Sequence, residues 1–365
     1  MEKKIGISIY PEQSNFEKDK EYLELAKSLG YSVVFTSILH FIASPDAKVK
    51  AQQVLKALKY AKSIGFYTIL DVEYESMKLL GITSTNMSVL VENGVDCIRL
   101  DSPSLPAEVS AFTHNKENIN VQINMSNNDS FIDNIMDFQP ITNNLSGCHN
   151  FYPLEDTALP FDFFMEANKK YLKYRLRTAA FIGSHSGTMT TAVGWKELPT
   201  IEMQRYMSVE AQAKLLFYTN EIDTILFGNA YATKEELEKV AAVNKYEITF
   251  DINPKNITPV EKQILEFNHF RRGDITDKFI RSTMTRVVFK NELIKKQNSK
   301  KTFNRGDVVI INSTDEKYKG ECHIILEDGY VDKNGKYNYI CSLKQEELWL
   351  LNFVKPWSHF RFNLI

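Results

Sequence analysis

Cysteine is scarce and scattered. Cys97, Cys148, Cys322 and Cys341 form neither a CxxC pair nor a zinc-type cluster, which excludes a disulfide scaffold and a structural zinc site and fits reduced thiols in a cytosolic protein. Long apolar runs are missing too: no segment approaches about 18 consecutive apolar residues, so no membrane span is expected. The amino terminus, MEKKIGISIYPEQS, reaches Pro11 without the apolar stretch of a signal peptide, and a cytoplasmic protein is expected. Neither sign of charge dominates. With 44 basic and 46 acidic residues the formal net charge is -2, so no global field recruits nucleic acid or an acidic membrane, and an anionic ligand has to be held locally.

Core material is plentiful, with 43% hydrophobic and 12% aromatic residues in 365, enough for one large domain and a smaller one. From Lys4 to about Asn244, short apolar runs alternate with amphipathic segments. Strands are expected over 5–10, 32–38, 67–71, 97–101, 120–124, 146–151, 178–183 and 224–227. Helical spacing of apolar residues marks 17–29, 49–64 and 235–243, and Gly30, Gly65 and Gly94 stand just past helix ends. Eight strand–helix alternations in about 240 residues match a (β/α)₈ TIM barrel. A doubly wound open sheet is the rival, but no GxGxxG follows the first strand. After Asn244 the rhythm changes. Brief β-like runs over 247–253, 307–312, 322–326 and 337–343, a short helix over 259–268, and the turn pairs Asp328-Gly329 and Asn334-Gly335 indicate a small, mostly β second domain. The expected boundaries are 1–244 and 245–365.

In such a barrel, chemistry sits where strands end. The segment GCHNFYP, Gly147 to Pro153, closes one apolar strand with a histidine, an asparagine and a tyrosine. Other strands end alike: Tyr10 and Glu12, Thr36 and Ser37, Asp71 and Glu73, Arg99 and Asp101, Asn124 and Ser126, Ser184 and His185, Asn229 and Tyr231. Asp71 and Asp101 end consecutive strands, and neighbouring strands lie about 4.8 Å apart, so their carboxyls are expected close together. Carboxylates at about 5 Å suit a retaining glycosidase, and the pair also suits orientation of a substrate N-acetyl group for internal attack; capping of the following loops is the plain alternative. Arg99, two positions before Asp101, shares its side of the strand and is expected either to keep Asp101 ionised or to form a structural salt bridge. Alternation along GCHNFYP groups His149 with Phe151 and Asn150 with Tyr152; Asn150 and Tyr152 are expected to position the ligand, with His149 divided between ligand contact and support. Gly183, Ser184, Gly228, Asn229 and Ala230 form a small, Gly-bearing corner of the kind that holds phosphate on backbone N–H groups. Missing motifs narrow the chemistry further. No lysine ends a strand, which disfavours Schiff-base and pyridoxal phosphate reactions. There is no HxH or HExxH spacing for a metal, no GxSxG elbow and no P-loop, so neither metal nor cofactor is expected.

The motifs YPEQS, LDV, IRLD, INMSN, GCHNFYP, FIGSH and FGNAYA, followed by HFRRGDIT and IRS, resemble almost end to end a bacterial family once called a domain of unknown function or "outer surface protein" and associated with 6-phospho-N-acetylmuramidase activity. The resemblance implies a TIM barrel with a carboxy-terminal cyclophilin-like β domain. It also implies a hydrolase that cleaves N-acetylmuramic acid 6-phosphate from N-acetylglucosamine in cell-wall recycling. The partner is then a small phosphorylated amino-sugar disaccharide, a homodimer being compatible with the sequence. Asp71 and Asp101 match the family's LDV and IRLD, and Arg271 and Arg272 match a basic motif opening the second domain, for which gripping a substrate carboxylate or phosphate and pairing with Asp274 or Asp277 are alternatives. Tyr10, Glu12, Asn124 and His185 complete the expected substrate contacts. Ala158 stands where the family usually has the glycine of a Gly-Leu-Pro run, and the loop 187–196 varies. The alternatives kept open are a non-catalytic phosphosugar-binding or regulatory protein and another carboxylate-dependent phosphosugar enzyme, such as an isomerase or epimerase.

Overall fold

The structure is a computed structural model and describes residues 2–101, 104–190, 197–297 and 300–365. The chain divides into two compact units, Met1–Val243 and Asn244–Ile365. In the first, eight parallel strands close into a barrel in sequence order: β1 Lys4–Ser8, β2 Val33–Ser37, β3 Tyr67–Val72, β4 Cys97–Leu100, β5 Asn120–Asn124, β6 Leu145–Cys148, β7 Arg177–Ile182 and β8 Thr224–Phe227. The helices between them are α1 Phe16–Ser28, α2 Ala47–Ser63, α3 Tyr74–Leu80, α4 Ser88–Glu92, α5 Pro106–Thr113, α6 Phe131–Asp137, α7 Phe161–Leu172, α8 Val209–Tyr218 and α9 Lys234–Ala241. This is the expected TIM barrel. The helix ends follow local chemistry: Asn15 caps α1 by accepting the Lys18 N–H, Thr233 caps α9, and Gly30, Gly65 and Gly94 all take positive φ, where a side chain is disfavoured.

Alternation along the strands builds the interior. Val33 and Phe35 of β2, Ile69 of β3, Cys97 of β4, Cys148 of β6, Ala179 and Phe181 of β7 and Leu226 of β8 form one buried cluster. Each large side chain taken from water there contributes about 1.5–3 kcal/mol. Gly6 of β1 is needed for packing: a Cβ there would meet Leu226 Cδ2 at 2.5 Å and the Val33 carbonyl oxygen at 2.6 Å. One strand departs from expectation. The ladder reaches only the His149 N–H, which donates to the Ala179 carbonyl, and the Tyr152 N–H turns to Pro199. The strand therefore stops at Cys148 rather than Phe151.

The second unit is mostly β. Its strands are β9 Ile248–Ile252, β10 His269–Phe270, β11 Phe279–Ser282, β12 Thr302–Phe303, β13 Asp307–Ile311, β14 Cys322–Ile325, β15 Tyr330–Val331, β16 Tyr337–Ser342 and β17 His359–Leu364. They form sheets ordered β10-β17-β9, β11-β14-β13-β16 and β12-β15. All pairings are antiparallel except β9 with β17. Gly329 and Gly335, the second residues of the expected turn pairs, have positive φ. Among the described residues no helix is long and apolar enough to cross a membrane.

Candidate active site

The inward column that carries Phe35 and Ile69 continues upward into polar residues. Parallel pairing sets Ser37 of β2 beside Asp71 of β3, and Asp71 beside Arg99 of β4. Strand parity thus stacks these three side chains directly above the apolar core. Arg99 Nη1 donates to Asp71 Oδ1 at 2.7 Å and to Asp101 Oδ1 at 2.7 Å, while Nη2 donates to Asn150 Oδ1. Two oxygens each 2.7 Å from one nitrogen lie no further apart than twice that distance, about 5.4 Å. The Arg99 and Asp71 side chains are 4% and 7% exposed, whereas Asp101 is 40% exposed, so solvent reaches one carboxylate and scarcely the other.

That asymmetry governs protonation. Burial pushes the Asp71 carboxyl up to about 6; the Arg99 charge and the Ser37 hydrogen bond oppose the rise, and the Asp101 charge adds to it. For Arg99, burial works against the charge, but Asp71 and Asp101 outweigh it and hold the guanidinium above its ordinary range.

These residues line a cavity of about 430 Å³. Phe35, Phe151 and Phe181 form its apolar floor, the last two edge to face at 5.1 Å. Ser37, Asp71, Arg99, Asp101 and Asn150 form a polar wall, and Leu39 and His40, from the turn after β2, complete the lining. His40 Nε2 lies 2.6 Å from Glu12 Oε1. An apolar floor with a few convergent polar groups is what a small-molecule site requires. Among the described residues no group of three or more His, Cys, Asp or Glu is placed to hold a metal ion.

GCHNFYP divides its labour differently from simple alternation. Because the strand ends at Cys148, Phe151 turns in beside Asn150 at the cavity. His149 is fully buried and packs on Phe164 of α7. Asn168 Nδ2 donates to Glu221, which leaves Asn168 Oδ1 to accept from His149 Nε2 at 2.7 Å. The other ring nitrogen, Nδ1, then accepts from the Ser126 hydroxyl at 3.3 Å, and Ser126 Oγ takes the Asn150 N–H at 2.7 Å. Burial drives His149 down to about 4, so a neutral ring braces Asn150 from behind. Tyr152 is half-buried outside the cavity lining. Asn124 accepts the Ser126 N–H, and Tyr10 is buried with its hydroxyl on the Gly228 carbonyl.

The expected phosphate corner is filled by protein. The Gly183 N–H goes to Gln212, the Ser184 N–H to Asn229, the Gly228 N–H to Ile182 and the Ala230 N–H to Met189. Glu236, from α9, accepts the His185 and Ser186 N–H groups at 2.8 and 3.3 Å and the Ser184 hydroxyl at 2.6 Å. A carboxylate thus stands where an anion was expected. His185 has both ring nitrogens engaged, by Glu197 and the Met207 carbonyl. Within the second unit, Arg271 donates to the Val354 carbonyl and Arg272 pairs with Asp274. Ala158 donates its N–H to Glu202, and residues 191–196 of the variable loop lie outside those described.

His40 and the phenylalanine floor escaped the strand-end reading. His40 lies three residues beyond its strand, past the reach of parity, and the floor residues read as ordinary core.

Two family models, described as 6-phospho-N-acetylmuramidase, N-terminal, and 6-phospho-N-acetylmuramidase, C-terminal, match residues 5–242 and 248–363. Among solved structures, an uncharacterized B. cereus protein is 36% identical, with TM-score 0.91 and full coverage of both chains. A conserved Enterococcus faecalis protein of unknown function is 22% identical with TM-score 0.72, covering 99% of this chain and 96% of its own, and shares the fold. No curated protein sequence matches this chain.

Proposed function

The chain belongs to the 6-phospho-N-acetylmuramidase family, and from that premise we propose that it hydrolyses the β-1,4 bond between N-acetylmuramic acid 6-phosphate and N-acetylglucosamine in cytoplasmic recycling of cell-wall fragments. The observation that supports this reading is the pair of carboxylates held on one guanidinium nitrogen at the cavity wall. Their spacing, at most about 5.4 Å between the bonded oxygens, is compatible with the about 5–5.5 Å of retaining glycosidases, whose two carboxyl groups flank the scissile bond.

The chemistry follows from the different environments of the pair. Asp71, raised to about 6, suits the group that protonates the leaving oxygen near neutral pH. Asp101 suits the carboxylate that attacks the anomeric carbon, stabilises its developing positive charge or orients the substrate N-acetyl group. Arg99 keeps both aimed at one point, and Asn150, braced through Ser126 and His149, offers an amide for a sugar hydroxyl. The test is mass spectrometry after incubation with the phosphorylated and the unphosphorylated disaccharide. Release of both monosaccharides from the phosphorylated form is expected; an intact or merely isomerised substrate would overturn the proposal.

A further inference from the structure

One pair of titratable groups at the same cavity takes no part in the chemistry above. Glu12, in the turn after β1, has a side chain only 2% exposed, and its Oε1 lies 2.6 Å from His40 Nε2. A carboxylate can only accept, so Nε2 carries the hydrogen. Gln13 donates to the same oxygen at 2.9 Å. Glu12 Oε2 is buried with no hydrogen-bond partner among the described residues, a costly state for a group whose sole task is to fill space. The His40 ring meets Tyr10 and Phe41 edge to face, at 6.1 and 5.1 Å between centroids. Its orientation is therefore set from behind and from both sides. Nδ1 has no protein partner among the described residues, and His40 lines the cavity.

Resting on the preceding functional reading, we propose that His40, held by Glu12, is the residue that recognises the phosphate of the substrate and so selects phosphorylated over unphosphorylated saccharide. Two independent observations lead there. The only basic residues lining the cavity, among those described, are Arg99 and His40, and three of the five N–H donors of Arg99 already serve Asp71, Asp101 and Asn150. The glycine-bearing corner after β7 and β8, the usual alternative for a phosphate in a barrel, is occupied by the Glu236 carboxylate. Charge agrees. The Asp101 carboxylate lies against Arg99, and the Glu12 carboxylate lies against His40 Nε2. Each basic group of the wall thus has an acidic partner of its own, and Nδ1 is the ring nitrogen of His40 left for a ligand. A phosphate oxygen meeting Nδ1–H gains a charge-assisted hydrogen bond without facing an uncompensated carboxylate.

The test compares full-length wild type with His40→Gln and Glu12→Gln on the phosphorylated and unphosphorylated disaccharides, with inorganic phosphate as a competitor. His40→Gln is expected to raise KM for the phosphorylated substrate about tenfold or more with kcat nearly unchanged. Its kcat/KM on the unphosphorylated substrate should stay the same, and competition by phosphate should weaken. Glu12→Gln should move KM in the same direction by a smaller factor. An equal fall in kcat on both substrates, the mark of proton transfer, would overturn the proposal, as would an unchanged preference. If wild type cleaves neither disaccharide, the functional reading fails separately. Calorimetric titration with N-acetylglucosamine 6-phosphate and N-acetylglucosamine then decides the clamp: the phosphate ester should bind wild type about tenfold or more tighter than His40→Gln, and equal binding would refute it.

Discussion

Replacing Asp71 with asparagine should make the barrel more stable at neutral pH while stopping turnover. Asn keeps the shape and the oxygen that accepts from Arg99 but cannot ionise. Asp71 is raised by burial from 3.8 to about 6. Its favourable contribution is present below pH 4 and is lost as pH rises through 6, where the folded barrel must carry a poorly solvated charge. The gap between 3.8 and about 6, at 1.36 kcal/mol per pH unit, amounts to about 3 kcal/mol at pH 7. Urea unfolding followed by circular dichroism should show the variant ahead by up to that amount at pH 7, and the advantage should vanish near pH 4. Cleavage of the phosphorylated disaccharide should fall by about 10²-fold or more. Asp71→Asn less stable than wild type by about 1 kcal/mol or more at pH 7 would refute the reasoning. The Arg99 attraction would then outweigh desolvation, and Asp71 would be ionised well below neutrality and unfit to donate a proton.

Two further outcomes follow from the same packing. His149 is lowered to about 4, so its contribution is present above pH 6.5 and lost as pH falls towards 4, a slope opposite to that of Asp71. His149→Gln should therefore flatten the acid limb of barrel stability measured by urea unfolding between pH 6.5 and 4, and should raise KM through the loosened Asn150. Gly6→Ala forces a methyl to 2.6 Å from the Val33 carbonyl oxygen and should cost about 1–3 kcal/mol, read as a lowered urea midpoint.

Much of the fold was legible because its rules are local. Apolar runs of strand length, helical spacing and the glycines at 30, 65 and 94 report on the residues beside them, and eight alternations leave little room for an architecture other than a closed parallel barrel. Strand spacing brought Asp71 to Asp101, and strand parity brought Arg99 to Asp101, since residues two apart on a strand share a side. It failed at GCHNFYP. Parity holds only while the ladder holds, and the backbone there leaves β7 after His149 to follow Ser126 and Pro199.

Taken alone, the sequence determined the barrel, the polar crown at its strand ends and the neighbourhood of Asp71, Arg99 and Asp101, because two-residue alternation and parallel register follow from backbone geometry. Tertiary structure decided which crown residues reach the cavity. Glu236 fills the corner after β7 from about 50 positions away, Glu12 fixes a histidine 28 residues later, and His149 faces a helix instead of the cavity. Those outcomes depend on which side chains meet across the closed barrel and on how deeply burial desolvates them, and no local pattern encodes either.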